Sequence, residues 1–129
     1  MTGSVPPLVI RDLLQRGPRL RDEPGWEPFR TGVQIRRLYH DEKTGAAAAL
    51  LRYEPGAGVP AHEHLGYEHI LVLDGAQSDE HGDYPAGTFV VNRPHSVHRI
   101  ASEAGCVVLI IWERGVRFLG ATPEAATPM

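Results

Sequence analysis

The chain of 129 residues carries one cysteine, Cys106. A lone thiol excludes an internal disulfide framework and any zinc site built on Cys-x-x-Cys. Basic charge is not in excess: 13 Lys and Arg stand against 16 Asp and Glu, for a formal net charge of −3. That balance offers nothing to a phosphate backbone, so nucleic acid is not an expected partner. The short pairs Arg36-Arg37 and Arg19/Arg21 read as solvated surface. Long hydrophobic runs are missing too. The longest, Cys106 to Trp112, falls far short of the roughly 20 residues that a membrane span needs. No apolar stretch follows a basic N-terminal segment, as it would in a secretory leader. A soluble, cytoplasmic protein with no membrane partner is expected.

What the chain does have is turn formers, 14 glycines and 11 prolines, beside an ordinary 42% of hydrophobic residues. This mixture favours many short elements, all-β rather than helical. The length suits one domain, with a core over about 26–112 and loose tails at 1–7 and 120–129. Leu8 to Gln15 has a short helical pattern, which Gly17-Pro18 is expected to stop. Gly32 to Tyr39 and Ala46 to Tyr53 read as a hairpin around the polar turn His40–Gly45. Glu54 to Gly58 is a turn cluster. Glu68 to Leu73 is expected to end in a tight turn at Asp74-Gly75. Gln77–Asp79, Thr88–Asn92, Val97–Ser102 and Cys106–Trp112 supply further strands. Short strands at such intervals make a sandwich or barrel.

One stretch carries the chemistry: PAHEHLGYEHILVLDG, Pro60 to Gly75. On a strand, residues i and i+2 share a face. His62 and His64 therefore project together, with Glu63 opposite. Glu68 opens the next strand and can return beside them, while His69 faces away. Two imidazoles and a carboxylate in one volume suit a borderline divalent metal, and His98 is the natural fourth ligand. On these residues alone a solvated polar turn remains the competing reading.

The wider spacing resembles a known family. Gly56, His62, His64, Glu68 and Gly75 fit the first motif of the cupin superfamily. Gly87 to His98 resembles its second motif, with His95 where a glycine often follows the proline and without the terminal asparagine. Trp26-Glu27-Pro28-Phe29, Asp79-Glu80-x-Gly82-Asp83-Tyr84-Pro85-Ala86-Gly87-Thr88 and Ser102-Glu103-x-Gly105-Cys106 look like the cupin-like domain of ChrR-type anti-sigma factors. The resemblance implies a double-stranded β-helix, the jelly-roll barrel, holding one divalent transition metal ion per chain. Zn or Fe is the first expectation, with Ni, Mn or Cu as alternatives. It maps the metal ligands onto His62, His64, Glu68 and His98.

Four further residues are candidates for contact with a small-molecule ligand or substrate: Arg52, Tyr67, Tyr84 and His95. Their plainer readings are a surface arginine, half-buried tyrosines and a loop histidine. Cys106 reads as an inert buried thiol. Two functions stay open, a metal-dependent oxidoreductase of dioxygenase type and a non-catalytic zinc-binding or stress-sensing cupin. Sheet edges make a homodimer the expected assembly. Direct sigma-factor binding is not expected, because ChrR-type proteins bind sigma through a separate zinc domain rich in His and Cys, and this chain has no such cluster.

Overall fold

Short apolar or alternating runs, cut into lengths by glycine and proline, give the chain its strands. The computed structural model describes residues 4–120, so the tails expected at 1–7 and 120–129 lie largely outside the described residues. The elements run α1 (Leu13–Leu20), β1 (Glu27–Arg30), β2 (Val33–His40), β3 (Ala47–Tyr53), β4 (Ala57–His64), β5 (Glu68–Asp79), β6 (Gly82–Pro85), β7 (Phe89–Asn92), β8 (Val97–Ser102), β9 (Cys106–Trp112) and β10 (Val116–Phe118). All pairings are antiparallel, in the order β1-β2-β3-β9-β5-β8-β4-β10, with β6 and β7 also paired to β5.

β5 closes the barrel. Its first part pairs with β9 and β7, and its last part with β6, touching β8 at Ser78↔Ala101. One long bent strand thus belongs to both walls, and the sheet curls into the jelly roll that the resemblance implied. Inside lies an apolar core that includes Ile35, Leu51, Ile70, Val72, Val108 and Ile110. β3 and β9 are buried on both faces, because α1 covers the outer side: Leu20 packs with Leu50, Leu73 and Val107. This explains why Cys106–Trp112 is continuously apolar rather than alternating.

Two local expectations fail, for related reasons. Asp74-Gly75 is not a hairpin turn. β5 runs straight through it, with a register shift between Val72 and Asp74. Gly75 has φ 72, and a Cβ there would stand 2.1 Å from the Gly105 carbonyl oxygen. The glycine serves a bulge and a close strand approach, not a reversal. Likewise the helix lies at Leu13–Leu20 instead of Leu8–Gln15, with Pro18 inside it. Gly17 does not stop this helix: a Cβ on it would lie 2.0 Å from the Leu73 carbonyl oxygen. Docking against β5 selects the glycine, and burial of Leu20 offsets the helical preference lost at Gly17 and Pro18.

Candidate metal centre

β4 and β8 lie side by side, with His62 directly opposite His98. The i, i+2 alternation of β4 points both His62 and His64 into the barrel, where all three imidazoles are buried. Glu68, at the start of β5, completes the group and is buried as well. One ligand atom from each of His62, His64, Glu68 and His98 can be chosen so that all lie within 4.8 Å of one another. Glu63, as alternation requires, turns away from the barrel interior to pair with Arg117.

The outer hydrogen bonds fix which nitrogen of each ring is free. His62 Nδ1–H donates to the Pro60 carbonyl at 2.9 Å, and His64 Nδ1–H faces the Ser96 carbonyl at 3.1 Å and its Oγ at 2.9 Å. His98 Nδ1–H donates to Asp79 Oδ2 at 3.2 Å. Carbonyl and carboxylate oxygens only accept, so each Nδ1 carries the proton and each Nε2 presents a lone pair. Nε2 of His64 and of His98 are buried with no hydrogen-bond partner. Glu68 is held equally firmly: Asn92 Nδ2 donates to Oε1 at 3.0 Å and Trp112 Nε1 donates to Oε2 at 2.8 Å.

His64 Nε2 and Glu68 Oε1 then face each other at 3.2 Å, two electron-pair donors in a dry interior. That arrangement is repulsive unless a proton or a metal cation lies between them. Orphaned nitrogens, a fixed tautomer and an anchored carboxylate fit a divalent transition ion. The protonation states agree. Burial pushes His62 down to about 4, with the carboxylate of Glu68 opposing it in part. Burial also lowers His98. Burial raises the Glu68 carboxyl, and a proton or positive charge on the facing rings, on His64 above all, outweighs it and brings the carboxyl below its ordinary range, a place that a metal ion fills equally well. His62 and His98 are thus neutral near pH 7 and Glu68 is ionised, the forms that bind metal.

A cavity opens on this cluster, with about 40 Å³ available to the centre of a water molecule. His62, Glu68 and Trp112 line it beside Ile70, Ile100, Ile110, Val116 and Phe118, and Tyr53 and Arg30 also reach it. The four extra candidates are placed differently. Arg52 points outward, bonded through Nε to Gln34 Oε1 at 2.9 Å and through an amino group to the Arg21 carbonyl at 2.7 Å, over the Trp26 ring. Tyr67 is exposed and stacks on His69, which in turn stacks on Phe89. Tyr84 donates to Asp79 Oδ1 at 2.7 Å, supporting the residue that holds His98. His95 is exposed, with Nδ1 3.5 Å from Glu63 Oε2. Its φ of 70 is the left-handed conformation that a glycine would take more readily.

Asp79, Ser96, Asn92 and Trp112 were not singled out from the sequence as parts of the site. Strand pairing gives them their roles, with Glu68 opposite both Asn92 and Trp112. The spacing of any one motif does not reveal that.

A curled antiparallel barrel with three imidazoles and a carboxylate gathered inside it is a cupin. The ChrR Cupin-like domain family matches residues 21–114, and the chain belongs to that family. The anti-sigma-E factor ChrR of Cereibacter sphaeroides is 34% identical over 65% of this chain; the chain spans 41% of that relative's length. The structure of Rhodobacter sphaeroides SigE in complex with the anti-sigma ChrR matches with TM-score 0.62 and 30% identity, covering 70% of this chain and 49% of that one. An acetylacetone dioxygenase from Acinetobacter johnsonii superposes over 98% of this chain and 87% of its own, with TM-score 0.77. At 13% identity that likeness concerns the fold alone.

These relatives correct one expectation. Direct sigma-factor binding was not expected, yet a protein 34% identical is an anti-sigma factor and a matched structure holds SigE with ChrR. The missing His/Cys cluster therefore does not exclude a sigma-factor partner, since the similarity to that anti-sigma factor lies in the cupin-like part.

Proposed function

We propose that this cupin holds one divalent transition metal ion through His62, His64, Glu68 and His98 and presents it to a small organic molecule as a dioxygenase-type oxidoreductase. The carrying observation is the pair of orphaned buried Nε2 atoms, on His64 and His98, beside an ionised, doubly anchored carboxylate, with that carboxylate and His62 lining one apolar cavity. Zn or Fe suits this mixed nitrogen and oxygen donor set. When bound, such an ion supplies Lewis-acid polarisation or, if redox-active, electron transfer.

The chain's own residues do the rest. Asn92 and Trp112 keep Glu68 from rotating. Pro60, Ser96 and Asp79 keep the ring nitrogens facing inward. The aliphatic wall of Ile70, Ile100 and Ile110 excludes bulk water and strengthens every charge interaction near the centre.

A second reading has its own support, the 34% identity to an anti-sigma factor. There the same site holds zinc without turnover, and ligand or metal occupancy is signalled to a sigma-factor partner. Metal analysis of protein purified without added metal, followed by an oxygen-uptake screen over small carbonyl and aromatic compounds, separates the two. Redox-active metal with substrate-dependent oxygen loss supports the enzyme. Stoichiometric zinc with no oxygen loss for any compound contradicts it and favours the sensor.

A further inference from the structure

The cavity has a cation at its mouth. Phe29 and Arg30 line the internal cavity and also an open surface cleft with Thr31, Gly58 and Pro60. They therefore stand between the barrel interior and solvent. Arg30 ends β1, and its position is set by the tight Thr31-Gly32 link to β2, where Arg30 pairs with Val33. The guanidinium lies over the Phe118 ring, 3.9 Å from its centroid. Phe118 in turn approaches the His62 ring, with centroids 5.8 Å apart. A continuous path thus runs from Arg30 past Phe118 to His62.

Arg30 is partly buried, and among the described residues its guanidinium forms no hydrogen bond and no salt bridge. Other arginines on the strands behave differently: Arg36, Arg37, Arg52 and Arg117 are all hydrogen-bonded to protein oxygens. A stacked guanidinium keeps its in-plane N–H donors available, and its fork matches a carboxylate. Among the described residues no other Lys or Arg lines the cavity, and the wall between Arg30 and His62 is mostly aliphatic or aromatic.

We infer that Arg30 selects a small, mostly apolar molecule bearing one carboxylate-type anionic group, held at the cavity mouth with its apolar body directed toward His62 and Glu68. The space matches: at 10–15 Å³ of such volume per water and about 30 Å³ of liquid volume each, 40 Å³ corresponds to roughly three waters, or a ligand of about six heavy atoms. This inference rests on the proposed function in taking the cavity as the site of a small organic ligand, but it does not need the metal.

The test uses 2-methylpropanoate and its neutral isostere 2-methylpropanamide, titrated calorimetrically into the zinc-loaded and the metal-free protein. The carboxylate is expected to bind about tenfold tighter or more, the effect of a charge-assisted hydrogen-bonded pair. Arg30→Met is expected to abolish that preference and Arg30→Lys to keep part of it, with melting temperature and zinc content unchanged in both. Equal binding of the two probes, binding of neither, or a preference that survives in Arg30→Met overturns the inference. Zinc content is read on the same samples. Stoichiometric zinc without the preference defeats only the role of Arg30, whereas an Arg30-dependent preference in protein that binds no zinc defeats only the metal reading.

Discussion

Asp79→Asn removes one charge and changes almost no volume, yet it is expected to damage the metal centre. Asp79 has a buried side chain whose Oδ2 accepts from His98 Nδ1 at 3.2 Å. Its Oδ1 accepts from Tyr84 Oη at 2.7 Å and from the His81 amide at 2.8 Å. Burial raises the carboxyl's pKa, but these donors more than compensate, and it is held below its usual value. An asparagine has one acceptor oxygen, and the tyrosine and the amide claim it. Its amide nitrogen then faces His98 Nδ1, which can no longer donate. The ring must shift its proton to Nε2, the atom assigned to the metal, or lose its anchor. Partners of this kind change metal affinity by about 10–100-fold, or about 1.4–2.7 kcal/mol. Competition against a chromophoric chelator measures the zinc affinity, and ¹⁵N chemical shifts of the imidazoles in metal-free protein report the tautomer. Zinc affinity unchanged in Asp79→Asn, with His98 still protonated at Nδ1, would refute the reasoning.

Acid should destabilise the metal-free protein in a defined window. Burial pushes His62 from 6.5 to about 4, so the unfolded chain takes up a proton near pH 6.5 that the folded chain refuses until about pH 4. Stability contributed by the neutral ring is therefore present above 6.5 and lost as pH falls to 4, by roughly 3.5 kcal/mol at about 1.4 kcal/mol per unit. Urea melts of chelator-treated protein check this, and His62→Gln should flatten the slope; an unchanged slope in that variant contradicts the assignment. Gly17→Ala should cost about 2–4 kcal/mol, because its Cβ meets the Leu73 carbonyl oxygen at 2.0 Å. Thermal melts that match wild type would mean that α1 docks differently.

Much of the fold was legible because the strands announce themselves. Val97–Ser102 and Cys106–Trp112 have the bounds expected of them, and the β2–β3 hairpin lies where the turn residues put it. Asp74-Gly75 misled because the same dipeptide serves a hairpin or a bulge, and only the approach of Gly105 decides between them. That error also hid Asp79. With β5 cut at Leu73, nothing placed residue 79 beside β8 and His98. β1 and β10 are short strands whose pairing is fixed by neighbours, and they carry Arg30 and Phe118 to the cavity. Arg52 looked available from its strand position, but the outer face of β3 ties it to Gln34 and Arg21. The i, i+2 periodicity of β4, in contrast, places His62 and His64 on one face without any knowledge of the barrel.

Metal content is the most direct measurement. Protein purified without added metal, dialysed and analysed by mass spectrometry alongside His62→Ala and His98→Ala, is expected to carry about one transition ion per folded chain and both variants far less. Wild-type levels of metal in both variants would contradict the assignment of these four side chains as the metal centre.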